Sequence, residues 1–279
     1  MSVHATVHSI QYNLAESAGL ELAKDILFPY AWDEWMCRQL TNNSKNFIHI
    51  WQHPKAFVLG LRDRQLPRIE QAIDWLEAQG YIVAVRNSGG AAVPLDSGVV
   101  NISLVMPMPY RSLNFRDDFE MMIRLLRQSL VSWTSAIRVG EIAGGYCPGE
   151  YDLSINDIKF CGISQRRQAH GFVVQAFVNV ENTGIKRAEL VRSFYEMASN
   201  GETAIQFPIV DTQRMGSLQS LSGVPSSQAF INCMKKLDSV IVPETKAEIE
   251  HMKMTLFPED QIRAVMYQLK KRYAIDRSI

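Results

Sequence analysis

Residues 151–180, YDLSINDIKFCGISQRRQAHGFVVQAFVNV, constrain the fold more than any other stretch of the chain. β-Branched and aromatic residues recur along the run, and Asn156-Asp157 interrupts it where a two-residue hairpin turn is needed. The pattern predicts consecutive antiparallel strands, joined first by that tight turn and then by a turn of roughly four residues at 168–171. Three such strands commit the chain to a sheet with a face to bury. With 279 residues, 47% of them hydrophobic, enough apolar surface is available to cover it.

Upstream, helical and strand periodicities alternate. A helix is predicted at 31–40, and strands at NFIHIWQ (46–52) and AFVLG (56–60). Ile69, Ala72, Ile73 and Leu76 share one face of a helix that Gly80 stops. YIVAVR (81–86) and VVNISLVMP (99–107) read as buried strands, with SGGAAVPLDSG (88–98) as a loop held between them. Phe115, Phe119, Met122, Ile123, Leu126 and Leu130 mark an amphipathic helix. Asp117, Asp118 and Glu120 lie in its first turn, where the macrodipole favours anions. From Lys186 the pattern turns mostly helical and ends on a face of Ile262, Val265, Met266, Leu269 and Tyr273, while 211–225, rich in Ser and Gly, reads as a linker. The expected class is α/β of the α+β kind: a single domain over 1–279, core 30–200 and helical tail 212–279, with a mixed sheet flanked by helices.

Charge excludes some functions. The 29 Lys and Arg balance 29 Asp and Glu, which removes the global pull expected of a nucleic-acid binder, so no nucleic-acid partner is expected. No stretch approaches the ~20 apolar residues of a membrane span, so no membrane partner is expected either. The segment MSVHATVHSIQYNLAES lacks the basic and apolar regions of a secretory signal, and the expected location is the cytoplasm.

Cys37, Cys147, Cys161 and Cys233 show no C-x-x-C spacing and no histidine at a zinc-ligand offset, so neither a metal site nor a disulfide framework is expected. Cys161 lies within the strand-like IKFCGIS and reads as packing. Cys147, framed by glycines in GGYCPGEY, is expected to reach solvent and substrate. A nucleophilic thiolate needs a nearby cation, for which Lys159, Arg166 and Arg167 are candidates, or a histidine, for which His170 is nearest. On spacing alone Lys159 reads as a solvated surface charge, with Ile158 and Phe160 facing the core. Arg166-Arg167 and the group Arg62, Arg64 and Arg68 read as exposed faces or a patch for an acidic protein. Ser88-Gly89-Gly90 reads as a tight structural loop, or as a cradle where a phosphate or an acyl chain approaches bare backbone. The Trp and Met residues read as core.

RNSGGAAVPLDSGVVNISLVMP (86–107) and YDLSINDIKFCGISQRR (151–167), with WQHPKAFVLGLRDRQLP (51–67) before them, resemble the signature segments of the biotin/lipoate ligase and lipoate/octanoyl transferase superfamily, in the same order and at a similar separation. The resemblance covers roughly residues 30–200. It implies the catalytic domain of that family, with the glycine loop lining an acyl tunnel and Lys159 as the family lysine that contacts the acyl carbonyl. It further implies that Arg86, Ser88, Gly89, Gly90, Ala91 and Gly162 bind substrate. Ala91 stands where ligases carry a third glycine and Leu95 where they carry a histidine, which argues against ATP-dependent adenylation. GGYCPGEYDLSI with IKFCGISQRR is similar to the amidotransferase branch of lipoate assembly. That branch implies Cys147 as nucleophile, Lys159 in proton transfer or carbonyl positioning, and no cofactor. Its implied donor is octanoylated glycine cleavage H protein, and its acceptors are lipoyl domains of 2-oxoacid dehydrogenase E2 subunits. Transfer from acyl carrier protein, ATP-dependent lipoate ligation, and a non-catalytic acyl-binding or thiol-sensing protein remain open at this point.

Overall fold

The computed structural model describes residues 12–16, 21–108, 115–182, 184–202, 206–237, 240–241, 245, 247–248, 251 and 255–275. Most of the amino-terminal segment read for a secretory signal, and parts of the 212–279 tail, lie outside the described residues. In chain order the elements are β1 (Tyr12–Glu16), α1 (Phe28–Gln39), β2 (Asn46–Trp51), β3 (Lys55–Leu59), α2 (Ile69–Ala78), β4 (Ile82–Val85), β5 (Val93–Asp96) and β6 (Val99–Pro107). They continue with α3 (Phe115–Leu130), β7 (Arg138–Val139), β8 (Leu153–Ile155), β9 (Ile158–Arg167), β10 (Gly171–Asn179), α4 (Gly184–Ser199), α5 (Leu218–Ser222), α6 (Ser227–Lys235), β11 (Val240–Ile241) and α7 (Glu259–Arg272).

A larger sheet takes the order β11-β1-β2-β6-β10-β9-β8-β7, and a smaller one the order β4-β3-β5. β11, β1 and β2 run parallel, β2 onward antiparallel, so the larger sheet is mixed. The hairpin turn falls at Asn156 and Asp157, with φ of 51° and 61°, the left-handed pair that a tight two-residue turn requires. Alternation along the strands fixes what the site can contain. In β6, Val100, Ile102, Leu104 and Met106 join the core beneath α3 and α6, whereas Val99 and Val105 join the core shared with α1, α2, α4 and the smaller sheet. Asn101 and Ser103 project to that second face. Strand register puts Trp51, Asn101, Phe177 and Gly162 in one row across β2, β6, β10 and β9.

Several sequence readings need correction. The first helix begins at Phe28 because Pro29 suits a first turn. Residues 88–98 are not all loop: Val93–Asp96, buried along its first three residues, pairs antiparallel with β3. The flanking strands are not both buried. Ile82 in β4 is 49% exposed, and β4 and β6 belong to different sheets. Phe115 is 54% exposed, whereas Asp118 in the same first turn is buried against Gln165 and Arg167. The 211–225 segment is no linker. Met215, Ser217 and Leu218 are buried, the Gly216 N–H donates to the Lys159 carbonyl at 2.8 Å, and Ser217 caps α5.

Candidate active site

Two loops, one leaving the smaller sheet and one entering the larger, meet over the Trp51–Gly162 row. The first leaves β4 as Arg86-Asn87-Ser88-Gly89-Gly90-Ala91, and the second carries Tyr146-Cys147-Pro148-Gly149 into β8. Gly90, at φ 94°, makes their contact possible: a Cβ there would lie 2.6 Å from an Arg86 guanidinium nitrogen and 2.7 Å from Cys147 Sγ. Only a residue without a side chain fits between the thiol and the arginine.

Arg86 is buried. Its Nε donates to the Gly89 carbonyl at 3.1 Å, one terminal nitrogen donates to the Ala91 carbonyl at 2.7 Å, and the same nitrogen reaches Cys147 Sγ at 3.3 Å. The Ala91 N–H donates to the same sulfur, also at 3.3 Å. Burial works to lower the Arg86 pKa, but Cys147 and Tyr30, helped by Asp63, more than offset it, and the net direction is up. A guanidinium and a backbone N–H thus converge as donors on one sulfur.

This corrects the sequence reading on two points. The cation at the thiol is Arg86, not Lys159, Arg166 or Arg167, and Cys147 is 8% exposed rather than solvent-facing. Arg166 donates to the Asn87 carbonyl at 2.5 Å and pairs with Glu34 at 3.5 Å, while Arg167 pairs with Asp118, so both brace the cavity wall. Arg64 donates to the Ala274 carbonyl, whereas Arg62 and Arg68 are exposed. His170 is exposed in the turn between β9 and β10.

Lys159 is completely buried, which rules out the solvated-charge reading. Its Nζ lies 2.9 Å from the Tyr146 carbonyl, 2.7 Å from the Cys147 carbonyl and 2.7 Å from Asp152 Oδ2. Those three acceptors use all three N–H bonds of an ammonium. Cys147 has a φ of 47°, sparsely populated for a residue with a Cβ, and Lys159 clasps the carbonyls on both sides of that torsion. Burial pushes the Asp152 pKa up to about 6 although Lys159 pulls it down. Sequence reading missed Asp152. Its signal was an acidic residue opening an otherwise apolar strand, a few positions ahead of a lysine across a hairpin.

A cavity of about 840 Å³ opens beside the thiol, within the range of small-molecule sites. Arg86, Ser88, Gly89, Gly90, Cys147 and Gly162 line it, whereas Lys159 and the Ala91 side chain do not. Tyr30, Trp51, Val93, Leu95 and Phe177 supply apolar wall, enough for an alkyl chain. Phe119 stacks on Tyr151 at 4.0 Å along another part of the same wall. Among the described residues no cluster of His, Cys, Asp or Glu is arranged to hold a metal, and no helix is long and apolar enough to cross a membrane.

Cys161 sits one residue from Gly162 and therefore on the opposite face, completely buried in the α3 core. Burial pushes its pKa up. Cys161→Val is expected to keep turnover within about threefold of wild type and to change stability by ~1 kcal/mol, as measured by activity assays and denaturant melts. Loss of activity at unchanged stability would contradict the assignment of this thiol to packing.

The family model described as the lipoyl protein ligase A/B catalytic domain matches residues 25–236. An octanoyl-[GcvH]:protein N-octanoyltransferase from Geobacillus kaustophilus is 44% identical over 196 residues, covering 70% of this chain and 69% of that protein. A lipoyl-[GcvH]:protein N-lipoyltransferase from Listeria monocytogenes is 39% identical over 212 residues, covering 75% and 76%. A solved bi-partite lipoate protein ligase from Thermoplasma acidophilum superposes with a TM-score of 0.65 at 17% identity, over 98% of this chain and 99% of that one, a likeness of fold.

Proposed function

This chain belongs to the lipoyl protein ligase A/B catalytic domain family, and from that premise we propose that it transfers an octanoyl group between proteins through a thioester on Cys147. The donor is the octanoylated lysine of glycine cleavage H protein, and the acceptors are lysines in lipoyl domains of E2 subunits. The single observation that carries the thioester is the convergence of Arg86 and the Ala91 N–H on Cys147 Sγ at the wall of an acyl-sized cavity.

The chemistry follows from that geometry. Sγ attacks the amide carbonyl of the donor, a C–S bond forms and the C–N bond breaks. The proton first held by the thiol leaves with the donor's lysine amine, so each half-reaction balances without an added reagent. The acceptor lysine then attacks the thioester, restores an amide and returns the proton to sulfur. One amide replaces another, so the net reaction needs no nucleotide to drive it. Leu95, apolar and lining the cavity, agrees with that economy. As the tetrahedral oxyanion develops, the cationic Arg86 and the Ala91 N–H are the charge-stabilising groups at hand. Ser88, Gly89, Gly90 and Gly162 contact the acyl group. Ala91 acts through its backbone, while Lys159, its donors committed, positions Cys147 and does not itself exchange the proton.

The proposal includes one catalytic unit over 1–279, supported by α7 packing on α1 and by the 211–225 segment packing under Lys159. A nucleophilic thiol that must stay unpaired is kept so in a reducing compartment, which supports action in the cytoplasm. The test is octanoylated H protein mixed with an apo lipoyl domain without nucleotide, followed by intact mass. Loss of the acyl group from the first and its gain by the second is expected. Transfer only from octanoyl acyl carrier protein, or only from free octanoate with ATP, would overturn the reading.

Asp152 gives the reaction a pH dependence. Turnover is expected to fall as pH drops through about 6, where Asp152 takes a proton and releases Lys159. Stability moves the other way. A carboxyl raised from 3.8 to about 6 binds its proton more tightly folded than unfolded, so its contribution is full below 3.8 and lost as pH rises through 6. Turnover and melting temperature of wild type and Asp152→Asn across pH 4–8 check both signs; an acid limb near 6 that survives in Asp152→Asn would assign it to another group.

A further inference from the structure

Behind the glycine loop lies a second set of buried polar groups that touch neither the cavity nor the sulfur. The Ala92 N–H, one peptide beyond the Ala91 N–H that faces Cys147, donates to Tyr195 Oη at 3.0 Å. Tyr195 Oη donates in turn to Asp63 Oδ1 at 2.9 Å, and Asp63 Oδ2 accepts the Gly60 N–H at 2.7 Å. Tyr195 and Asp63 are 2% and 3% exposed, so water does not substitute for any link. Gly60 packs so closely on the loop that a Cβ there would lie 2.1 Å from the Gly90 carbonyl oxygen. Asp63 therefore grips the loop twice: through Gly60 at Gly90, and through Tyr195 at Ala92. The Ala91 peptide lies between those two points.

We propose that Tyr195 and Asp63 are positioning residues for the reaction, fixing the plane of the loop so that the Ala91 N–H points at Cys147 Sγ. The inference rests on Cys147 as the nucleophile. A hydrogen bond falls steeply as its angle closes, so a peptide free to rotate stops stabilising a thiolate long before the loop moves out of place. The hydroxyl suits the task because one oxygen accepts from the loop and donates to the carboxylate, and burial raises the Asp63 pKa. Phe207 stacks on the Tyr195 ring at 5.5 Å and offers a control that disturbs packing without removing a hydrogen bond.

Tyr195→Phe removes only the oxygen. Its kcat is expected to fall about tenfold or more, with KM for the octanoyl donor within about twofold. The pH at half-maximal iodoacetamide alkylation of Cys147 should rise by about half a unit or more. Phe207→Leu should lower the melting temperature and leave that alkylation profile where it is. A wild-type profile in Tyr195→Phe, or equal shifts in both variants, would overturn the proposal. The alkylation readout needs no donor protein, so it stands if the donor is misassigned; residual transfer by Cys147→Ala would instead remove the premise.

Discussion

Cys147→Ala loses octanoyl transfer by at least about 10⁴-fold while its melting temperature stays within a few degrees of wild type. The side chain removed is one sulfur in a pre-built cavity wall, so little packing goes with it. Cys147→Ser should be nearly as inactive. A hydroxyl pKa lies far above that of a thiol, and the Arg86 and Ala91 donors cannot close the gap at neutral pH. The donors themselves remain in both variants. Substantial transfer by either variant would show that the two carrier proteins exchange the acyl group directly, in a ternary complex.

The second large effect belongs to Lys159. Lys159→Met leaves Asp152 buried without its cation and the Tyr146 and Cys147 carbonyls without a donor. Breaking such a pair from one side costs about 3–5 kcal/mol, so the variant should be strongly destabilised as well as inactive. Stability alone would therefore prove little. The Lys159→Met, Asp152→Asn double variant removes both charges and should regain much of the stability. Its kcat should remain down about 10²-fold or more, because nothing then holds the left-handed turn at Cys147. Lys159→Arg should fail similarly. Its planar guanidinium cannot direct three donors along the ammonium's directions, and the site it would have to fit is completely buried. Near-normal kcat in the double variant would reduce the pair to a structural staple.

Much of this architecture was legible from local chemistry. The hairpin at Asn156-Asp157, the strand at 99–107 and the buried face of Ile69, Ala72, Ile73 and Leu76 follow from periodicity and turn residues, which act over a few positions. The glycine loop and Cys147 were visible as residues, yet their relation was not. Arg86 and Cys147 lie 61 positions apart, and no local pattern encodes a contact closed by two loops. Lys159 and Asp152 show the same limit from the other side. Strand alternation suggested a solvent face for the lysine, but the 211–225 segment, whose Ser and Gly content reads as a linker, covers that face instead. Tyr195 and Asp63, 132 positions apart, carried no sequence signal at all.

The account rests on a covalent bond to one sulfur, and the most direct measurement looks for that bond. The enzyme is mixed with octanoylated H protein without an acceptor, quenched in acid, digested and read by peptide mass spectrometry. An octanoyl adduct on the peptide holding Cys147 is expected, labile to hydroxylamine as a thioester is, and discharged when apo lipoyl domain is added before the quench. An adduct on Cys161, or octanoyl transfer at full rate with no acyl-enzyme at any time, would contradict it.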